Sequence, residues 1–232
     1  MYENENLKRL NAYLSDVGFC SRREADDYIK KGYITINDKI AILGDKVGKK
    51  DIVKFKGNLI HIENKKIILA FNKPRGIVCT TKNDKNNIVD FIKYETRIYP
   101  IGRLDKDSCG LIFLTNDGSI VNHILKSSNN KEKEYIVRVN KDITKEFIDK
   151  LEKGVHILDR KTKPCKIEKI DKKMFKIIIT EGLNRQIRRM CEVCGYKCVY
   201  LKRIRIMNIK LNNLKEGTYR KLTEEEVKEL LK

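Results

Sequence analysis

The chain has 232 residues, 41% apolar and 36% charged, with a formal charge of +19. That is enough chain to bury the core of one large or two small domains. It is too polar for a membrane protein, since its longest strongly apolar run, Ile67 to Phe71, falls far short of the roughly 20 residues a spanning helix needs.

The opening residues, MYENENLKRLN, lack the apolar stretch of a secretory signal. Leu7, Leu10, Tyr13, Leu14 and Val17 then recur at helical spacing. Ser21-Arg22-Arg23-Glu24 has the spacing of a capping box and opens a second helix. Ala25, Tyr28 and Ile29 form its inward face, and Gly32 is its stop. YITINDKI alternates as strands do, with Asn37-Asp38 as a turn, and further strands are expected near Ile52-Val53 and Leu59-Ile60. A boundary falls near Glu63 to Lys66, so the domains expected are 1–63 and 64–232. The second segment mixes strands (67–71, 111–115, 135–139, 175–180) with helices (120–125, 145–151). A second capping box at Thr223 opens a C-terminal helix with Val227, Leu230 and Leu231 as its apolar face. The pattern is α+β.

Charge is unevenly spread. Residues 1–63 carry 12 basic and 10 acidic side chains, which leaves +17 to the remainder. Between Gly182 and Lys210 lie Arg185, Arg188, Arg189, Lys197, Lys202, Arg203, Arg205 and Lys210, opposed by Glu192. Such clustering favours a nucleic-acid partner over a merely solvated face. Asn184 is the expected cap of a helix closing at Gly195, with Ile187, Met190, Cys191 and Cys194 on one stripe and Arg185, Arg188 and Arg189 on the other side. Three arginines at a helix N-terminus oppose the macrodipole. They make sense around an anion.

Cys191, Cys194 and Cys198 approach zinc-ligand spacing, but two of them sit on the apolar stripe and pack better as small hydrophobes. His61-Ile62-Glu63 matches half of a nucleobase deaminase signature, yet Pro164-Cys165 lacks the second cysteine, Glu168 standing in its place. His123 and His156 have no nucleophile nearby. Seven cysteines without a framework suit reduced thiols and a cytoplasmic location. Carboxylates remain. Asp105 and Asp107 precede the apolar run 111–114, and a turn-stabilising role competes with a chemical one for each.

GRLDKDSCGLIFLTNDG resembles the catalytic motif of bacterial ribosomal RNA pseudouridine synthases of the RsuA/RluB/RluF group, most of all the RluF type acting on large-subunit RNA. FNKPRGIVCTT, EKEYIVRV and EGLNRQIRRMCE are similar to the family's other blocks, in the family's order. LNAYLSDVGFCSRREADDYIKKGYITIND resembles the RNA-binding domain named for ribosomal protein S-four. The resemblance implies a catalytic domain built on a mixed, largely antiparallel sheet. It implies Asp105 as the essential aspartate, Tyr135 packed on the target uracil, Arg188 paired with Asp105, Arg103 in the same loop and Leu201 touching the base. Whether Asp105 attacks the anomeric carbon or acts as a base stays open. RNA-backbone contacts are expected from Arg22, Arg23, Arg185 and Arg189. No metal or other cofactor is expected, and the partner is ribosomal RNA, 23S first and a structured transfer RNA as a further substrate, met by a monomer away from any membrane. Small-subunit RNA is one alternative, and a non-catalytic ribosome-assembly factor is another.

Overall fold

A computed structural model of the chain describes residues 7–60, 66–81, 86–125 and 131–232. The chain divides into two compact units. One is Met1–Ile67 with Tyr94–Ile98 and Thr115–Ser119, and the other is Ile68–Lys93, Tyr99–Leu114 and Ile120–Lys232. The expected boundary at Glu63 and the His61–Glu63 stretch lie outside the described residues. No helix among the described residues is long and apolar enough to cross a membrane.

In the first unit two helices, Leu10–Asp16 and Arg22–Lys30, pack their apolar faces on a four-stranded sheet. Leu10, Leu14, Ala25, Ile29, Ile34 and Val53 share that core. The capping box is formed: Glu24 N–H donates to Ser21 Oγ, and the Ser21 N–H to Glu24 Oε2. Gly32, at φ +69°, ends the helix as its left-handed stop, with its N–H on Ile29 O and the Tyr33 N–H on Tyr28 O. Asn37 and Asp38, at φ +49° and +66°, make the tight turn that a two-residue hairpin demands. Leu7 departs from its expected place. It is 55% exposed ahead of the short Lys8–Arg9 strand, and the helix begins only at Leu10.

The second unit is built on one sheet, in the order Lys166–Asp171, Met174–Ile179, Lys133–Val139, Cys198–Ile206, Cys109–Thr115, Ile68–Lys73, Tyr219–Lys221. Lys202-Arg203 pair with Cys109-Gly110 in parallel, while the other pairings resolved strand by strand are antiparallel. The apolar run is central, with Leu111, Ile112, Phe113 and Leu114 fully buried. The Thr223 capping box is formed and Leu230 is buried, but Leu231 is 37% exposed, outside the apolar face assigned to it.

The Cys198–Ile206 strand was not among the expected elements. Its inward residues are Cys198, Leu201, Arg203 and Ile206, spaced three, two and three apart. Its register against Lys133–Val139 slips twice, once past Val199 and once past Ile204. Each slip is a β-bulge, which resets the phase of the strand. These bulges keep all four side chains on one face, and a period-two reading passes over them.

Candidate active site

The charged stretch before the central strand is a turn. Ser108 N–H closes on Asp105 O at 3.0 Å, with Lys106 and Asp107 at its tip. Asp105 and Asp107 therefore do not share a face. Asp107 is exposed, whereas Asp105 lines a cleft of about 970 Å³ and keeps 29% of its side chain accessible. The turn is held from two sides. Gly76 N–H donates to Lys106 O at 2.8 Å and Arg75 Nε to Asp107 O at 3.1 Å, both from the loop that Pro74 forces out of its strand. Lys73, at the end of that strand, is fully buried and spends its ammonium on Pro74 O and Ile77 O, each at 2.9 Å. Burial pushes its pKa below the ordinary value.

The arginine helix, Gln186–Val193, holds the turn from the other side. Its N-cap is Arg185, at φ +51°, and not Asn184 as expected. A side-chain scaffold organises the entry instead. Leu183 N–H donates to Gln186 Oε1 at 3.0 Å, and Gln186 Nε2 to Glu181 Oε1 at 2.8 Å. Asn184 accepts from Arg189 through its backbone O at 3.1 Å and its Oδ1 at 3.3 Å. A left-handed non-glycine residue is a small conformational cost, of the kind that gathers at functional sites. The exit matches expectation, with Gly195 at φ +76° and the Tyr196 N–H on Cys191 O.

Arg188 does not lie on an outer face. It is 6% exposed and donates from Nη1 to Cys198 O at 3.0 Å and from Nη2 to Asp107 O at 3.2 Å and Ser108 Oγ at 3.1 Å. Its Nε is 3.7 Å from Asp105 Oδ2, and Arg185 Nη1 approaches the same oxygen at 3.8 Å from the exposed side. The anion among the arginines is thus Asp105. The two carboxylates lining the cleft differ in kind. Glu181 is committed to Gln186 Nε2, to Arg160 Nη2 and to the Lys163 N–H, each within 2.9 Å, whereas the Asp105 carboxylate has ion-pair neighbours but no hydrogen bond among the described residues.

Tyr135 and Leu201 also line the cleft, 7% and 5% exposed, on neighbouring strands. Arg203, directly across from Tyr135, donates from Nη1 to the Tyr135 hydroxyl at 3.5 Å and from Nε to Leu111 O at 2.6 Å. Arg103 is exposed on the cleft lining. A space of this size accommodates a nucleoside, with a flat aromatic surface, apolar walls and a carboxylate able to act as nucleophile or base. The RNA pseudouridylate synthase pattern matches residues 67–193, and the S4 domain pattern matches residues 8–53. The chain belongs to the RNA pseudouridylate synthase family. Among its relatives, the dual-specificity RNA pseudouridine synthase RluF of Escherichia coli K12 is 51% identical over 97% of this chain and 78% of its own. The ribosomal large subunit pseudouridine synthase B of Bacillus subtilis is 37% identical over 97% and 96%. A crystal structure of a pseudouridylate synthase superposes with a TM-score of 0.72 at 29% identity, covering 96% of this chain and 99% of that one.

The synthase's basic cluster is not one surface. Arg188 and Arg203 are buried, and Arg205 is paired with Glu134 on the neighbouring strand at 2.7 Å and with Glu132 just before that strand at 2.9 Å. Charge counted along the chain missed those partners because they arrive through strand pairing. The synthase's Arg22 and Arg23 are exposed on the first turn of their helix, as expected. Cys191 and Cys198 are buried thiols, pushed up in pKa by burial, and no group of His, Cys, Asp and Glu among the described residues could hold a metal ion. Cys165 donates to Leu151 O and its thiol is pushed up to about 12. Sequence reasoning did not single out Ser108, Arg75 or Gly76. Their proximity to LDKD, or to the KP pair, was the available signal.

Arg188→Ala in this synthase removes a donor from Cys198 O and from Ser108 Oγ and leaves Asp107 O with Arg75 alone. A loss of ~3 kcal/mol is expected, seen as a lower midpoint in denaturant titration. Activity should fall with it, because the same contacts hold the turn that carries Asp105. Unchanged stability would mean that the turn does not depend on this arginine.

Proposed function

We propose that this synthase isomerises a specific uridine of ribosomal RNA to pseudouridine, with 23S RNA as the substrate and Asp105 as the acting carboxylate. The observation that carries this reading is the contrast in the cleft that Tyr135 and Leu201 also line: the Asp105 carboxylate has no hydrogen bond among the described residues, while Glu181 is fully engaged. Either as nucleophile at the anomeric carbon or as base at the neighbouring ribose carbon, a carboxylate needs that freedom. Arg188 and Arg185 balance its charge. Tyr135 and Leu201 sandwich the flipped base, Arg103 at the cleft rim contacts the target nucleotide, and Arg185 and Arg189 meet the RNA backbone.

The name of the Bacillus subtilis relative favours the large subunit, and that of the Escherichia coli relative favours more than one RNA class, with a structured transfer RNA the second here. A working monomer is part of this reading, and the seven free cysteines suit the cytoplasm. Chemical mapping of pseudouridine in both ribosomal RNAs and in transfer RNA, with and without the gene, tests the reading. One 23S site lost with the gene supports it. A lost 16S site would move the substrate, and an unchanged map would leave a non-catalytic RNA-binding protein.

The S4 unit holds RNA in this reading. Arg22 and Arg23 stand at a helix N-terminus, where phosphate is favoured. Changing both to Ala is expected to weaken RNA binding and to flatten its salt dependence by about one to two counterions. The single-turnover rate at saturating enzyme stays at the wild-type value. A lost rate with intact binding would instead assign the pair to shaping the cleft.

A further inference from the structure

We propose that Lys133 is a further substrate contact, its ammonium donating to a carbonyl oxygen of the uracil in the cleft and balancing the charge that the ring takes up as its bond to the sugar breaks. The proposal rests on the activity assigned above. Lys133 lines the cleft two residues before Tyr135, so both side chains leave the strand on one face. Its partner is a backbone carbonyl, Lys131 O, at 3.4 Å, and no carboxylate among the described residues pairs with it. Such a half-satisfied, half-buried ammonium has donors to spare.

Its surroundings argue for a base over a phosphate. Directly across from Lys133 on the two flanking strands stand Ile179 and Ile206, each 4% exposed and each lining the cleft. This apolar collar fits a flat ring and excludes the water that a phosphodiester keeps. Burial, and then the charge of Arg203, hold the Lys133 pKa below its ordinary value. An anionic ring beside it relieves both. That anion arises on either route open to Asp105, because the electron pair of the glycosidic bond leaves with the ring nitrogen and spreads onto the two carbonyl oxygens. A donor preset for this charge acts as an oxyanion-stabilising group does.

The test compares wild type, Lys133→Met and Lys133→Gln on in vitro transcripts of 23S RNA. Lys133→Met is expected to lower the single-turnover rate at saturating enzyme about 100-fold. Affinity should stay within about two-fold and the salt slope should not change. Lys133→Gln should recover part of the rate, since an amide N–H still donates. Three results would overturn the proposal: a rate within about three-fold of wild type for Lys133→Met, a lower melting temperature in both variants, or weaker binding with a salt slope reduced by roughly 0.7–0.9 at unchanged saturated rate, which marks a phosphate contact. A wild type that forms no pseudouridine on either ribosomal RNA or on transfer RNA would instead overturn the activity itself.

Discussion

Asp105→Asn is expected to give a folded, RNA-binding protein that forms no detectable pseudouridine. The substitution is nearly isosteric, and the two ion pairs it removes are 3.7 and 3.8 Å long and unsupported by hydrogen bonds. Arg188 keeps its hydrogen bonds to Cys198 O, Asp107 O and Ser108 Oγ, so losing such long pairs costs at most ~1 kcal/mol and the melting temperature should move by only a few degrees. RNA affinity should hold or rise, since the variant carries one negative charge fewer. The chemistry is another matter, because an amide is a poor nucleophile and a poor base. Asp107→Asn is the matched control. Its carboxylate is exposed at the turn tip, and what the fold uses is its backbone oxygen, which accepts from Arg75 and Arg188. It should retain most activity. Direct detection of pseudouridine on RNA treated with each purified protein is the measurement. Turnover by Asp105→Asn would refute the assignment.

The largest loss of stability is expected at Gly110. Its φ is +102°, and a β-carbon there would lie 2.2 Å from Arg203 O and 2.7 Å from Arg203 N. Both atoms are backbone, on the strand that pairs with Cys109-Gly110 in parallel. Arg203 cannot withdraw without breaking its 2.6 Å bond to Leu111 O. Gly110→Ala should therefore cost ~4 kcal/mol or more, from overpacking and a disallowed backbone together. Gly76→Ala separates these two causes. Its φ is +87°, yet nothing lies within 4 Å of the added carbon, so only the conformational cost of ~1 kcal/mol is expected. Denaturation curves for the two variants check the difference. A Gly110→Ala protein as stable as Gly76→Ala would mean that these strands are not packed as described. Activity should vanish with Gly110→Ala, because the separated strands carry Asp105's turn on one side and Leu201 and Arg203 on the other.

The sequence by itself determined what local chemistry controls. Both capping boxes, the glycine stops at Gly32 and Gly195 and the Asn37-Asp38 turn were legible, since each depends on residues close together along the chain. So was the central apolar run 111–114. Motif order led to the family and to Asp105, Tyr135 and Arg188. Tertiary structure decided the rest. The Cys198–Ile206 strand hid behind two bulges, which broke the alternation that reveals a strand. Arg205's partners and the burial of Arg203 follow from strand order, which local patterns do not encode. Arg188 was expected on an outer face because helical periodicity separates charged from apolar residues. The fold buries it instead, since two backbone carbonyls and a serine hydroxyl offer what its guanidinium would otherwise take from water. Which of the cleft's two carboxylates is left free was likewise settled in three dimensions. Glu181 gains donors from Arg160, Lys163 and Gln186, and Asp105 gains only charge.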